Sequence, residues 1–376
     1  MRLSIPYTVG IRWDGWLSAA AVELRISSRY RAANRLLMPM RRFIRRLAVT
    51  GMAVQALASI SFAQTWKVAQ GNAEDLGVMG VSLKDAVKLN YGIQAQLQGA
   101  GTPNEAGIGG FLPLRVGKQS VSFLDVLANV NFADYPGYSS IINTTVAGGT
   151  ISTSTRLGQR WLNGDRSWMY GFNFGYDSRP MATGPADTGV NVSSSQTVFF
   201  QQMAFNAEAV SNKWSANGYW LVPVGQYGWG NSTVPVLNSN YVGDSLMTVG
   251  LDVAYSLTST LKASVGYYYQ DGDLNNADAS GIQLKAECLI ANGLALGGKL
   301  SYDPIYNTVV SGNIKYRFRS GGNGALNHGS APTGMTPLIQ FISSTPANRD
   351  VRVADLGIRY LSPVEIAILR DIGYQQ

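Results

Sequence analysis

The chain has 376 residues, of which only 14% are charged and 45% hydrophobic, whereas soluble domains carry roughly 25% charge. One cysteine and one histidine exclude a disulfide framework, a thiolate cluster and a multi-histidine zinc site. The net charge of +7 belongs to residues 1–63, where ten arginines stand against Asp14 and Glu23. The remaining residues hold 20 basic and 21 acidic side chains, so no nucleic-acid partner is expected.

Residues 1–63 read as a leader. Arg41, Arg42, Arg45 and Arg46 form a positive region, Leu47 to Ile60 an apolar stretch, and Ser61-Phe62-Ala63 a small-residue cleavage site. This makes 38–63 a signal peptide with a mature N-terminus at Gln64. Residues 1–37 fit no targeting pattern, and translation is expected to start at Met38 or Met40. A short periplasmic segment, 64–88, follows.

From residue 89 the hydrophobic period is two. In Ser167 to Asp177, Trp168, Tyr170, Phe172, Phe174 and Tyr176 share one face, while Met169, Gly171, Asn173, Gly175 and Asp177 share the other. The same rule yields twelve strands: Leu89–Gly99, Ile108–Arg115, Ser120–Phe132, Thr150–Asn163, Ser167–Ser178, Thr197–Val210, Lys213–Val224, Leu246–Leu257, Leu261–Gly272, Gly281–Ile290, Leu294–Asp303 and Val309–Arg319. Most run to the length that a tilted strand needs to cross a bilayer, about 9 to 11 residues. Their connections, 8, 4, 17, 3, 18, 2, 21, 3, 8, 3 and 5 residues, alternate long and short without exception. An up-and-down barrel in an outer membrane has this property, with short periplasmic turns and longer external loops. The expected fold is therefore all-β: a closed antiparallel transmembrane β-barrel over 89–319, with its N-terminus periplasmic.

The two faces specify two environments. Trp161, Trp168, Trp214 and Tyr255 lie on the apolar face beside short turns, and Tyr176, Phe199, Tyr269 and Tyr302 lie on it beside longer loops. Two aromatic belts at headgroup level are the expected result. The opposite face carries Asn173, Glu208, Asp252, Lys262, Lys285, Glu287, Lys299, Lys315 and Arg317, which a wet lumen accommodates and an apolar core would not. Cys288 falls on the apolar face and reads as a small hydrophobe facing lipid.

One hairpin carries a family likeness. Arg160-Trp161, followed by Gly171-Phe172-Asn173-Phe174-Gly175-Tyr176-Asp177, resembles the β-domain of inverse autotransporters, the membrane anchors of intimin and invasin, whose pattern is an R-x-W-like turn and then G-x-N-x-F-Y-D. Phe111-Leu112-Pro113-Leu114 with Val121-Ser122-Phe123 is similar to that family's first hairpin. The resemblance implies a twelve-stranded barrel that exports or anchors a C-terminal passenger through its pore. Only 57 residues follow Arg319, too few for an adhesive passenger, so the anchor is carried over and adhesion is not.

Residues 320–376 form the tail. Ser320 to Asp350 is rich in glycine and proline and reads as a linker. Asp350 to Leu361 suits a short strand or the start of a folded cap. Ser362-Pro363-Val364-Glu365 is a capping box for a small helix that Gly373 can end. Met335-Thr336-Pro337 and Leu361 to Tyr374 resemble a terminal segment of some secreted metalloprotease-like proteins. No H-E-x-x-H exists and His328 is the sole histidine, so no protease or other enzyme is expected.

Two functions compete. In the first, the chain is an outer-membrane anchor or translocator barrel whose shortened tail occupies the pore. In the second, it is a small general porin with a mixed-charge lumen. The expected partners are outer-membrane lipid, the barrel-assembly machinery and periplasmic chaperones, with no cofactor and no metal.

Overall fold

The computed structural model describes residues 83–183, 196–230, 234–238, 241–274, 277–291, 293–319, 338 and 341–358. The signal peptide, most of the linker and the helix expected at 362–373 lie outside them. The described chain opens with one helical turn, α1 (Leu83–Ala86), and continues almost entirely as strand. The elements are β1 (Asn90–Gln96), β2 (Asn104–Val116), β3 (Ser120–Phe132), β4 (Val146–Ala147), β5 (Thr150–Leu162), β6 (Trp168–Thr183), β7 (Thr197–Ser211) and β8 (Trp214–Val224). After them come β9 (Tyr241–Ser245), β10 (Met247–Ser256), β11 (Leu261–Asp271), β12 (Ala279–Ala291), β13 (Leu294–Asp303), β14 (Asn307–Arg319) and β15 (Val353–Ile358).

Twelve of these strands form one closed antiparallel barrel. Neighbours in sequence pair throughout, β6 pairs with β7, and β1 pairs with β14 to close the ring (Asn90 opposite Arg319, Gln96 opposite Asn313). Closure removes the unpaired edges that an open sheet would present to lipid. All twelve strands predicted from the hydrophobic period are present. The connections at one end, residues 117–119, 163–167, 212–213, 257–260 and 292–293, are short. The other end carries the longer connections, including 133–149 and 225–246, with one exception to the predicted alternation, the three-residue turn 304–306.

Several boundaries differ from the sequence reading, three of them for a clear local reason. β2 begins at Asn104 rather than at 108, because Gly107, Gly109 and Gly110 hide its period. A side chain at 107 could not fit, since its Cβ would lie 2.2 Å from Ala128 O. β6 continues to Thr183 through Pro180, which stands opposite Phe199 on β7. The turn between β13 and β14 tightens to residues 304–306, with Asn307 at φ 58°.

Every barrel strand exposes apolar side chains on its outer face. Ile108 on β2, Val130 on β3, Phe172 on β6, Ile282 on β12 and Val310 on β14 are all between 43% and 73% exposed. A continuous apolar band of this kind is untenable in water and natural against acyl chains. The inner face is packed instead of open. At the short-turn end Leu83, Ala86 and Val87 from α1 join Phe111, Phe123, Leu162, Met169 and Val210 of the wall, together with Leu338 and Ile342 of the tail. At the long-loop end Ile141, Met181, Phe200 and Leu237 enclose Val351 and Val353.

Candidate functional site: the occupied lumen

The tail runs through the lumen from the short-turn end, at Leu338 and Ile342, to the long-loop end, where β15 pairs with β9. Between these ends an irregular segment has backbone groups without sheet partners. Buried carbonyls must be satisfied, and arginines from the inner face supply the donors.

Arg160 on β5 is fully buried. Its Nε and Nη2 donate to both oxygens of Glu208 on β7, at 2.8 and 3.1 Å. Its Nη1 donates to Ser344 O at 2.6 Å, Ile342 O at 3.2 Å and Phe341 O at 3.3 Å. The guanidinium lies against the rings of Phe123 (4.8 Å) and Phe111 (5.8 Å), a cation–π arrangement. Gly171 on β6 is part of the same design, because a Cβ there would come within 2.9 Å of Arg160 Cγ and 3.1 Å of Glu208 Oε2.

Four residues earlier on β5 and on the same inner face, Arg156 forms a two-pronged pair with Asp177 of β6 (2.6 and 2.8 Å), and its Nη2 also donates to Asn348 O at 3.3 Å. Gln202 Nε2 joins Asp177 Oδ2 (2.7 Å) to Asp350 O (3.3 Å). Arg179 on β6 donates to the carbonyls of Gly101 and Val351. The arginines at 156, 160 and 179 thus form a ladder of planar donors suited to carbonyl and carboxylate acceptors.

The tail returns donors of its own. Arg349 Nη2 reaches Asp125 Oδ1 on β3, and its Nη1 reaches Ser154 Oγ at 3.0 Å. Asn348 Nδ2 donates to Asn217 Oδ1 at 2.7 Å. Arg352 donates to Gln270 Oε1 at 3.2 Å and lies 4.3 Å over the Tyr268 ring. At the exit Tyr306 Oη donates to Val353 O at 2.6 Å, and Val353 N donates to Gly101 O at 3.1 Å. Gly101 sits at φ 74°, with Tyr306 Oη where a Cβ would be, so no other residue fits there.

The residues expected to face the lumen divide into groups. Lys262, Lys285, Lys299, Lys315, Arg317, Asp252, Glu287 and Glu208 line a cavity that remains beside the tail. Glu208 faces inward as expected and is held by Arg160. Asn173 is buried among neighbours, accepting from Asn206 Nδ2 at 3.1 Å. Lys285 pairs with Asp252 at 3.0 Å, Lys315 with Glu287 at 3.2 Å, and Lys262 stands 4.5 Å over the Phe341 ring.

Of the belt aromatics, Trp161, Trp214, Phe199 and Tyr302 are exposed, and Trp168, Tyr255 and Tyr176 are half-buried. Trp214 and Tyr255 pack at 4.7 Å. Tyr269 is a correction: it is only 4% exposed. Trp229 of the 225–230 segment reaches this end of β11, its Nε1 donating at 3.0 Å to Asp271. Cys288 is half-buried and free, opposite Leu261 and Leu296. In the family-like hairpin, Arg160, Gly171, Asn173 and Asp177 point inward, while Trp161, Phe174 and Tyr176 point outward; Tyr176 Oη donates to Gln201 Oε1 at 2.7 Å. Sequence reasoning did not assign Arg156, Arg179, Asp125 or Arg349 to the site. The signal available was their inward parity and, for Arg349, its place, with Asp350, at the end of a run from 320 to 348 that holds no Asp, Glu, Lys or Arg.

The closed ring, apolar exterior and polar filled interior define a transmembrane β-barrel with an occupied pore. No protein-family model matches the sequence, and no curated protein matches it. Among solved structures, the chain is similar to a protein from work on in-meso crystallization of membrane proteins (12% identity, TM-score 0.48, 70% of this chain and 99% of that one). It is also similar to an outer-membrane channel from Pseudomonas putida F1 (10% identity, TM-score 0.39, 61% and 94%). A third is the β-domain of the Bordetella autotransporter BrkA (10% identity, TM-score 0.33, 61% and 97%).

Proposed function

We propose that the protein is an outer-membrane barrel that carries its own C-terminal segment outward through its pore, a translocator or anchor of the inverse-autotransporter kind. In this reading the short turns and both ends of the barrel chain face the periplasm, and β15 lies at the external mouth. The barrel-assembly machinery and periplasmic chaperones deliver it to outer-membrane lipid, and it performs no catalysis. The observation that carries the reading is the direction of the tail. It enters where β14 ends and leaves at the long-loop end, gripped through its backbone carbonyls by Arg156, Arg160 and Arg179. Backbone recognition holds a chain with little regard for its side chains, which suits a conduit.

The small-porin reading retains one supporting observation, the cavity of about 370 Å³ beside the tail. Planar-bilayer conductance separates the two. The translocator reading expects closed full-length protein and steady channels after deletion of residues 320–376. Steady channels in the full-length protein favour the porin.

A further inference from the structure

The charges in the lumen are segregated. On the β3–β7 side, Asp125, Asp177 and Glu208 are each neutralised by an arginine. On the other side, where β10–β14 border the cavity, the described wall contributes five basic side chains (Lys262, Lys285, Lys299, Lys315 and Arg317) against two acidic ones (Asp252 and Glu287), a surplus of three positive charges. Its acids are engaged already: Asp252 accepts from Gln283 at 2.6 Å and Lys285 at 3.0 Å, and Glu287 accepts from Lys315 at 3.2 Å.

Within that wall Lys285 on β12 stands directly opposite Lys299 on β13. Directly opposed residues have Cβ atoms roughly 5 Å apart, and like charges there destabilise the sheet. Lys299 makes no hydrogen bond or ion pair with any described residue, although it lines the cavity. Small neighbours leave room before it: Ser264 is opposite Lys285, and Ser311 is opposite Lys299. Asp252 already shares the charge of Lys285, so the uncompensated ammonium is that of Lys299, and an anion seated between the two lysines would supply its missing partner.

We infer that this cavity binds a water-soluble multivalent oxyanion of the phosphate or sulfate type on Lys285 and Lys299, drawn in by the surrounding positive surplus. Ammonium groups act as compact point charges that suit a tetrahedral oxyanion, whereas planar carboxylates are better met by an arginine fork. The ligand comes from the aqueous side, since the barrel wall separates the cavity from lipid headgroups. The two lysines belong to the wall, so the inference goes beyond the translocator reading and does not depend on it.

Calorimetric titration of inorganic pyrophosphate into the full-length protein, purified in zwitterionic detergent at low salt, tests the site. Wild type should bind, Lys299→Gln should bind at least tenfold more weakly, and Lys118→Gln, in the short turn 117–119, should match wild type. Raising sodium chloride should weaken wild-type binding, because exposed charges are screened. The folded state of each variant is read from its mobility on gels without boiling; if Lys299→Gln does not fold, Lys285→Gln decides by the same criterion. No binding by wild type, or equal affinity in the folded lysine variant, overturns the inference.

Discussion

Arg349→Ala should strand a charge in the lumen wall. Arg349 belongs to the tail and Asp125 to β3, and their side chains are 8% and 0% exposed. Removing one partner of a buried pair costs about 3–5 kcal/mol, most of it from the charge left desolvated. The hydrogen bond to Ser154 is lost as well. Asp125→Asn alone leaves the guanidinium near Arg156, another cation in the same site. The double variant Arg349→Ala/Asp125→Asn carries neither charge, so it should be more stable than the sum of the singles by about 2–3 kcal/mol. Urea unfolding of the purified barrel in detergent, followed by tryptophan fluorescence, gives the four stabilities of the cycle. Because the partners lie on tail and wall, the coupling reports their contact directly. Additivity within about 0.5 kcal/mol would refute the threaded tail.

Two further outcomes follow from local geometry. Gly175→Ala places a Cβ 1.8 Å from Thr155 O, whereas Gly298→Ala meets nothing within 4 Å; the first should cost at least about 1–3 kcal/mol and reduce the heat-modifiable folded band, while the second leaves it intact. At the long-loop end, burial pushes the Asp355 carboxyl up to about 7 and the Asp244 carboxyl up to about 6. A carboxyl raised in the folded state stabilises it fully below the ordinary value near 4, and that contribution is lost as pH rises through 6 and 7. Amide protection at Val353 and Asp355 should therefore fall by about tenfold or more between pH 5 and pH 8, after correction for intrinsic exchange. Asp355→Asn should flatten most of that dependence, and an unchanged profile would remove burial of this carboxyl as its cause.

The barrel was legible because lipid outside and water inside impose a strict period of two, which nothing in the chain had reason to blur except glycine and proline. Where Gly107, Gly109 and Gly110 have no side chain to show a face, the start of β2 was missed; where Pro180 looked like a loop, the end of β6 was. The occupied lumen was far less legible. Parity places Arg160 and Asp177 inward, but it does not tell what lies across from them. The partners of Arg160 in the tail are 181 to 184 positions away, and Arg349 is 224 positions from Asp125. Nothing local in a sequence encodes such pairings. For the same reason parity gives Tyr269 the face of a belt but not its burial.

The direction of the tail is tested most directly by labelling. In a Cys288→Ser background, a cysteine replaces Ile358, 64% exposed at the end of β15, and in a second strain one replaces Lys118 in a short turn. With a membrane-impermeant maleimide on intact cells, Ile358→Cys should label at once and Lys118→Cys only after the outer membrane is permeabilised. Labelling of Ile358→Cys only after permeabilisation would contradict an outward-threaded tail.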